Sequence, residues 1–336
     1  MINRHCFCVK MGDKMKKLLI TGASGLVGSA LQNIAIEKYE VIPLTRKDCN
    51  LTNFQDTKAI FNYIKPDYVI HTAAVVGGIG SNMNHPGKFF CDNIAINTNI
   101  LESARLSNVE KLISYLSTCV FPDDAPYPLN EKDIHNGPPH SSNAAYAHAK
   151  RMLDVQSKAY RSEYDCNFIT LIPTNIYGPY DNFDLDNGHV LPSLIQKFHL
   201  AQCKGQDMIV WGTGKPLREF VFSEDIAKIS LNVLEKYNNL EPLIISSGVE
   251  ISIEEVVTII ADHFNYKGNI IFDESKPDGQ YRKPSDTIKF LDYFPDFKFA
   301  SIHDGLKHTI DWFCVNYPHV RGSVIDNSID PWLQTR

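Results

Sequence analysis

An apolar run that ends in a spaced glycine turn constrains this chain most. The segment Leu18-Leu-Ile-Thr is followed by Gly22-Ala-Ser-Gly25-Leu-Val-Gly28, and an amphipathic stretch begins at once. In a strand-turn-helix unit, such glycines let the backbone approach a pyrophosphate that the helix N-terminus attracts. A lone glycine triplet is weak support, and a simple tight turn is the alternative. Its position at the first strand of a βαβ series predicts dinucleotide binding.

From Lys16 onward, short apolar runs alternate with longer helical patterns, which is typical of βαβ units around a parallel sheet. The predicted strands are 17–21, 40–45, 68–71, 111–116 and 168–172, and the predicted helices lie near 26–37, 53–64, 87–106 and 143–164. The expected fold class is therefore α/β, with a doubly wound parallel-sheet Rossmann domain and a smaller, mixed α/β C-terminal substrate-binding domain.

The regular alternation fades after Pro173, where Pro, Gly, Asn and Asp accumulate as far as Gly188. We interpret this stretch as the crossing into the second domain, which contains helices near 191–202, 252–264 and 301–317. The predicted organisation is an N-terminal extension (1–15), a Rossmann domain (16–175 and about 219–246), a substrate-binding domain (176–218 and about 247–320) and a polar tail (321–336).

The overall charge and the cysteines restrict the partners. A net charge of -6 over 336 residues argues against a nucleic-acid surface. The eight cysteines contain no CxxC pair, and a chain of this length does not depend on disulfides. No apolar run approaches the roughly 20 residues that span a bilayer. We therefore expect a cytoplasmic protein with reduced thiols that binds small molecules, no nucleic acid, no membrane and no metal.

The end of the second strand indicates the type of dinucleotide. An acidic residue there would bind a ribose 2′-hydroxyl, whereas a basic one would accept a 2′-phosphate. Here the sequence is Thr45-Arg46-Lys47, which favours NADP over NAD, although Asp48 argues the other way and both cations could simply be solvated.

A possible ketone-reducing site follows later in the chain. Tyr146 and Lys150 lie four residues apart on one face of a predicted helix, so the ammonium is expected to lower the pKa of the phenol. Ser117 can hydrogen-bond the same carbonyl oxygen to which Tyr146 gives a proton. In an extended segment Ser117 and Cys119 would share a face, which places a thiol in the same cleft. A simple dehydrogenase has no need for that thiol.

At these residues the chain resembles the extended short-chain dehydrogenase/reductases, and among them the GDP-L-fucose synthase family. The resemblance runs from about Lys16 to Tyr317. Besides the glycine turn, Ser117 and Tyr146-x-x-x-Lys150, it is carried by Val75-Val-Gly77-Gly78, Leu116-Ser-Thr-Cys119-Val-Phe-Pro122, His135-Asn-Gly-Pro-Pro139, Pro173-Thr-Asn175-Ile-Tyr-Gly178-Pro179, Asp181-Asn182-Phe183, Gly188-His189-Val-Leu-Pro192, Trp211-Gly-x-Gly-x-Pro-x-Arg218-Glu-Phe220 and Lys276-Pro-Asp-Gly279.

The resemblance implies an enzyme that epimerises GDP-4-keto-6-deoxy-D-mannose at C3 and C5 and then reduces C4 with NADPH, giving GDP-L-fucose. The C4 ketone acidifies the hydrogens on both neighbouring carbons, so one site can serve both inversions. By resemblance, Cys119 and His189 match the groups that take and return those protons. The family also implies a homodimer formed through helices such as 87–106 and 143–164.

The predicted site residues fall into three sets. The catalytic set is Ser117, Cys119, Tyr146, Lys150 and His189. The cofactor-binding set is Gly22, Ser24, Gly25, Leu26, Val27, Gly28, Arg46, Asn50, Leu51, Ala73, Ala74, Tyr146, Lys150, Pro173, Asn175 and His189. The substrate-binding set, in which Arg and Lys would bind the GDP pyrophosphate and Trp211 would cover guanine or ribose, is Ser117, Cys119, Asn175, Lys197, Trp211, Arg218 and Lys283.

Two other functions stay open. One is an NAD-dependent 4-epimerase on another nucleotide sugar, against which Cys119 and Arg46 both count. The other is a non-catalytic NADP-sensing protein, which is expected to lack Tyr146 or Lys150. A 4,6-dehydratase is disfavoured. The sugar-nucleotide dehydratases of this superfamily resemble one another in having two acidic residues after the serine or threonine, whereas this chain has Cys119-Val120 there.

Overall fold

Parallel strands and their crossover helices build the first half of the chain, as the alternating pattern predicts. The computed structural model describes residues 15–276 and 278–324. Its strands are Lys17–Thr21 (β1), Glu40–Leu44 (β2), Tyr68–His71 (β3), Lys111–Tyr115 (β4), Phe168–Pro173 (β5), Asn175–Tyr177 (β6), Met208–Trp211 (β7), Leu217–Phe222 (β8), Leu243–Ile245 (β9), Glu250–Ser252 (β10) and Ile270–Asp273 (β11). Its helices are Leu26–Ala35 (α1), Phe54–Ile64 (α2), Ile79–Asn84 (α3), Pro86–Leu106 (α4), Ala144–Tyr164 (α5), Val190–Lys204 (α6), Ser223–Lys236 (α7), Ile253–Phe264 (α8), Ile288–Tyr293 (α9) and Ile302–Asn316 (α10).

The main sheet has the strand order β2-β1-β3-β4-β5-β9, and every pair in it is parallel. From β1 the chain first adds β2 on one side of the sheet, and it then adds β3, β4 and β5 in turn on the other side. This reversal beside β1 opens a crevice at the carboxyl ends of the strands, where open α/β sheets bind ligands. The predicted doubly wound α/β fold is confirmed.

Both faces of the main sheet are covered, which explains why its strands read as continuous apolar runs. On one face Leu31 of α1 and Ile226 of α7 pack with Ile20 of β1. On the other face Phe61 of α2 and Leu153 of α5 pack with Val69 of β3. All six of these side chains are fully buried.

The second lobe contains two smaller sheets. In the first, β8 lies between β6, to which it is parallel, and β10, to which it is antiparallel. In the second, β7 and β11 pair in parallel. Helices α6, α8 and α10 cover them around a core that includes Phe198, Val257 and Ile310. The predicted mixed α/β architecture of this lobe is therefore observed.

The predicted return to the Rossmann domain at about residue 219 falls within β8, which pairs with β6 and β10. Val221 of β8 nevertheless packs in the core beneath the main sheet. Ile226, Ile229 and Val233 of α7 pack in the same core, and β9 then adds to the edge of β5. Strand β8 is apolar enough for either sheet, and only long-range pairing decides between them.

The two ends of the predicted organisation are described only in part. Of the extension 1–15, all but Met15 lies outside the described residues, and the tail 321–336 is described as far as residue 324. Those last residues are packed, because Arg321 O accepts a hydrogen bond from Phe183 N over 2.9 Å. Among the helices of the described ranges, none combines the length and the apolar character that a membrane crossing needs.

Candidate active site

The glycine turn after β1 leaves room for backbone and ligand but none for side chains. A Cβ on Gly22, whose φ is +68°, would lie 2.7 Å from Ala73 N at the end of β3. A Cβ on Gly28 would lie 2.3 Å from Gly22 O. The turn therefore packs closely on α1 and on β3, and the N-terminus of α1 stays open because no side chain caps it. These features fit a bound dinucleotide.

Basic side chains line the outer end of this crevice. Arg46 and Lys47 are exposed and border a cavity of about 430 Å³ that Asn50 and Tyr63 also line. The carboxylate of Asp48, which argued against NADP, accepts hydrogen bonds from Thr45 N (2.8 Å) and Thr45 Oγ1 (2.6 Å). Those bonds lower the pKa of Asp48. They also occupy its Oδ2, which therefore bonds Thr45 and is not directed to a ribose hydroxyl. Both cations remain available for a phosphate.

The turn that carries the thiol is not the extended segment that the sequence suggested. Thr118–Val120 forms a single 3₁₀ turn, with Ser117 as its N-cap. The Ser117 hydroxyl accepts a hydrogen bond from Cys119 N at 3.5 Å, so the two residues stay adjacent even though the strand-like alternation fails. Local capping by a serine competes with extended backbone here, because its hydroxyl satisfies an N–H that the turn leaves free.

Lys150 and Tyr146 face each other on α5 as predicted, with Lys150 Nζ 5.9 Å from the centre of the Tyr146 ring. Lys150 is 5% exposed and donates to Tyr115 O at 2.8 Å. Burial lowers the pKa of Lys150 to about 8. The expected low pKa of the phenol is wrong for this structure, since burial raises the pKa of Tyr146 and the nearby thiol raises it further. Tyr146 is therefore a protonated phenol, which is the form that can donate to a ketone oxygen.

The thiol of Cys119 lies within the same cluster. Burial raises the pKa of Cys119 above its ordinary value, and the hydrogen bond with Ser117 and the charges of Lys283 and Lys150 offset only part of this rise. The charge of a Cys119 thiolate in turn raises the pKa values of Tyr146 and Lys150. The structure thus brings together the four predicted groups Ser117, Cys119, Tyr146 and Lys150.

The predicted substrate residues of the second lobe lie on several elements. Trp211, at the end of β7, is 56% exposed, with Lys197 Nζ 4.8 Å and Lys276 Nζ 5.6 Å from its ring centre. Arg218 on β8 donates to Leu217 O at 2.7 Å, and burial lowers its pKa. These contacts form a basic, aromatic surface.

Three further predicted residues make other contacts. His189 is the N-cap of α6, and its side chain is exposed and does not cap the helix. Asn175 on β6 uses its amide to donate to Glu219 O at 2.8 Å, which ties it to β8. Lys283 Nζ donates to Thr118 O at 2.9 Å, in the turn that carries the thiol.

Comparison with known proteins identifies the family. Residues 18–246 match the model of the NAD dependent epimerase/dehydratase family. The chain belongs to this family. It is 46% identical to a GDP-L-fucose synthase of Dictyostelium discoideum, over 91% of this chain and 98% of that protein. It is 40% identical to a probable GDP-L-fucose synthase of Drosophila melanogaster, over 91% of this chain and 100% of that one.

A solved structure extends the likeness to three dimensions. The GDP-L-fucose synthetase of Naegleria fowleri bound to NADP superimposes with a TM-score of 0.87, is 41% identical, and covers 94% of this chain and 100% of its own. The predicted resemblance to the GDP-L-fucose synthases is thus confirmed. The predictions of an enzyme and of a nicotinamide dinucleotide cofactor are confirmed as well.

The sequence did not point to a buried polar link behind the active site of this family member. His71 Nδ1 lies 2.7 Å from Thr21 Oγ1, and its Nε2 lies 3.2 Å from Asn97 Oδ1. Asn97 Nδ2 donates to Ala149 O on α5 at 3.3 Å. Burial lowers the pKa of His71 to about 3, so the imidazole is neutral. A signal existed in the apolar stripe of α4, where Asn93 and Asn97 recur four residues apart and are both buried.

A second missed residue lies before His189. Asp181 is 5% exposed, and its Oδ2 has no hydrogen-bond partner among the residues described. Burial raises the pKa of Asp181 to about 6, and the charge of His189 opposes this rise. The carboxyl group is thus within electrostatic reach of the histidine. The sequence offered Asp181 only as part of the family motif Asp181-Asn182-Phe183, with no role in the site.

Proposed function

We propose that this chain converts GDP-4-keto-6-deoxy-D-mannose into GDP-L-fucose, by epimerisation at C3 and C5 followed by reduction of the C4 ketone with NADPH. The observation that carries the proposal is a thiol inside a ketone-reducing cluster. Cys119 adjoins Ser117 in one turn and interacts electrostatically with Tyr146 and Lys150. Reduction alone requires no such base.

The epimerisation uses the two groups that can exchange protons with carbon. The thiolate of Cys119 takes a proton from C3 or C5, and the negative charge moves to the ketone oxygen, where Ser117 donates a hydrogen bond. His189 returns a proton to the opposite face of the same carbon. Its exposed side chain at the start of α6 can meet a ligand that enters from solvent.

The reduction uses the phenol. When bound, NADPH supplies the hydride that adds to C4. Tyr146 gives its proton to the C4 oxygen, so that one C–H and one O–H bond form together. The buried Lys150 holds a positive charge beside the phenol and stabilises the phenolate that remains. A neutral phenol is the correct starting state for this step.

The second lobe supplies the groups for GDP. Arg218 and Lys197 carry charges that suit a pyrophosphate, and Trp211 offers an open aromatic face. We assign Asn175, whose strand pairs with β8, to contact with the hexose, as the resemblance implies. For the cofactor, exposed Arg46 and Lys47 favour a 2′-phosphate and therefore NADPH over NADH.

Two further assignments belong to this proposal. We place the chain in the cytoplasm, because none of the six described cysteines is in a disulfide. We also propose a homodimer through α4 and α5, on which Phe90, Met152 and Val155 are 42%, 37% and 45% exposed. Sedimentation of the protein alone measures whether these apolar side chains are covered by a second copy.

Turnover in deuterated water tests the function most directly. With NADPH and GDP-4-keto-6-deoxy-D-mannose, the product is expected to be GDP-L-fucose carrying deuterium at C3 and C5, and UDP-glucose is expected to oxidise no NADPH. A 4-epimerase would instead give no net NADPH oxidation, and an NADP-sensing protein would give no product. Either result would exclude the proposal.

A cysteine variant isolates the epimerase step. In Cys119→Ser we expect deuterium exchange at C3 and C5 to fall by about 10²-fold or more, as for loss of a general base, while NADPH binding persists. Cys166→Ser is the matched control, because its half-buried thiol is held outside the site on the loop after α5. Normal exchange in Cys119→Ser would return the thiol to a purely structural role.

A further inference from the structure

Backbone hydrogen bonds before and after Lys283 fix the segment that carries it. Tyr281 O accepts a hydrogen bond from Leu217 N at 2.9 Å, and Pro284 O accepts one from Leu129 N at 2.8 Å. One of these bonds fixes the segment to β8 of the second lobe, and the other fixes it to the loop after the Cys119 turn. The lysine therefore has little freedom to leave its position.

The side chain of Lys283 is directed at the turn that carries the thiol. Its Nζ donates to Thr118 O at 2.9 Å, a contact between residues 165 positions apart in the chain. Thr118 directly precedes Cys119, so the ammonium is anchored to the peptide bond that joins these two residues. The sequence assigned Lys283 to the GDP pyrophosphate, but this hydrogen bond gives it a second role that a phosphate contact does not require.

The other charged groups around Cys119 are committed elsewhere. Lys150 Nζ donates to Tyr115 O at 2.8 Å, and Arg151 Nε donates to Val120 O at 2.7 Å. Tyr146 faces the thiol as a neutral phenol, and Ser117 as a neutral hydroxyl. The charges of Lys283, Lys150 and Arg151 all favour the thiolate, and Lys150 is also needed for the phenol.

We propose that Lys283 is a positioning residue for the epimerase step, whose anchored ammonium holds a positive charge beside the Cys119 thiolate. The thiol gives its proton to water before the sugar binds, and the thiolate then accepts the proton from C3 or C5. The ammonium keeps its own proton throughout. The use of this thiolate rests on the proposed function, whereas the effect of the charge on the thiol does not.

The charges that face Lys283 are consistent with this role. The charge of Cys119 raises the pKa of Lys283 against the lowering effect of burial, Asp123 raises it as well, and Arg218 lowers it. Lys283 therefore interacts electrostatically with both the Cys119 thiolate and Arg218, the arginine assigned to the pyrophosphate. The same residue connects substrate binding in the second lobe to the base in the Rossmann half.

The test measures the thiol itself, on the full chain without sugar nucleotide. Iodoacetamide alkylation of the peptide that contains Cys119 is followed by mass spectrometry as a function of pH, because only the thiolate reacts. In Lys283→Gln, which keeps a hydrogen-bond donor but loses the charge, we expect the midpoint to rise by about one pH unit, so that alkylation below it is about tenfold slower. Lys283→Arg is expected to restore most of the rate.

Matched variants separate charge from structure. Arg282→Gln removes the neighbouring cation, which is exposed and pairs with Glu250, and it is expected to leave the midpoint unchanged. Lys283→Met, which is neutral and lacks the donor, is expected to shift the midpoint as Lys283→Gln does, so either neutral variant that folds gives the answer. An unshifted midpoint in a folded neutral variant overturns the proposal. Failure of the sugar reaction in the wild type would refute the proposed function and leave this result intact.

Discussion

The two halves of the active site hold their polar groups in different ways. In the Rossmann half, Lys150 is 5% exposed and bonded to backbone, and the glycine turn has no space for a side chain. In the second lobe, Trp211 is 56% exposed and His189 lies open at the start of α6. Buried groups act in a low dielectric without reorganisation, whereas exposed groups bind by adapting to the ligand. The difference separates the reduction at C4 from GDP binding. Apart from His189, which is assigned a proton transfer, and Lys283, which is assigned a charge beside the thiolate, mutations in the two halves should therefore change different kinetic constants.

The sharpest test of this division, and the largest expected effect, is Tyr146→Phe. Removing the phenolic hydroxyl removes the proton donor, so kcat for NADPH oxidation is expected to fall by about 10²–10⁴-fold. NADPH affinity, measured by quenching of protein fluorescence, should change little. Tyr164→Phe is the control, because it makes the same change at the exposed end of the same helix. A loss that appears only in KM would place Tyr146 with the binding groups and contradict the division between the two halves.

The next largest effect is expected in the second lobe, from Arg218→Gln. A charge-assisted bond to phosphate contributes about 1.5–3 kcal/mol, so KM for the GDP-sugar is expected to rise by roughly 10- to 100-fold while kcat changes little. Steady-state kinetics with varied sugar nucleotide measure both constants. Arg282→Gln serves as the control, since that arginine is exposed and pairs with Glu250. A fall in kcat at an unchanged KM would show that Arg218 takes part in the chemistry and does not serve binding alone.

The Rossmann half was the easier part to predict, for physical reasons. Its strands are buried on both faces and read as short apolar runs, and the glycine turn and the Tyr146–Lys150 pair are local patterns with fixed spacing. Their positions agree with the structure to within a few residues. Local signals suffice where each element is specified by its own periodicity.

The remaining features depend on contacts between distant segments. The sheet to which β8 belongs is decided by pairing with β6 and β10, and not by its own composition. The contact of Lys283 with Thr118 O spans 165 positions. The pKa of Tyr146 is raised by burial, where the adjacent lysine was expected to lower it. Second-lobe residues were named through family motifs, because no local pattern places them in a site.

A smaller effect is expected from pH, and it belongs to the Rossmann half alone. Burial lowers the pKa of Lys150 to about 8, so this lysine loses its charge as the pH rises through that value. The phenolate left by proton donation then lacks its counter-charge, and kcat/KM for reduction should fall by up to about tenfold per pH unit above it. In Lys150→Arg, whose charge persists, the alkaline fall should disappear. Its persistence in that variant would assign the titration to another group.

The smallest effect is expected from Trp211→Ala. More than half of this side chain already faces water, and Lys197 and Lys276 lie 4.8 Å and 5.6 Å from its ring centre. Exposed cation-π contacts contribute only about 0.5–1 kcal/mol, so KM for the GDP-sugar is expected to rise roughly two- to fivefold.

If the second lobe serves binding through Trp211, the Trp211→Ala variant should keep the full rate of epimerisation. Deuterium exchange at C3 and C5, measured at saturating sugar nucleotide, should match the wild type, because Trp211 is assigned to GDP binding and its ring lies beside Lys197 and Lys276. Trp211→Phe should recover most of the affinity, since it keeps an aromatic face beside both lysines. If saturating substrate fails to restore exchange, Trp211 must align the sugar for the thiolate. Binding and chemistry would then be coupled across the two lobes, and the open surface of the second lobe would be part of the catalytic machinery.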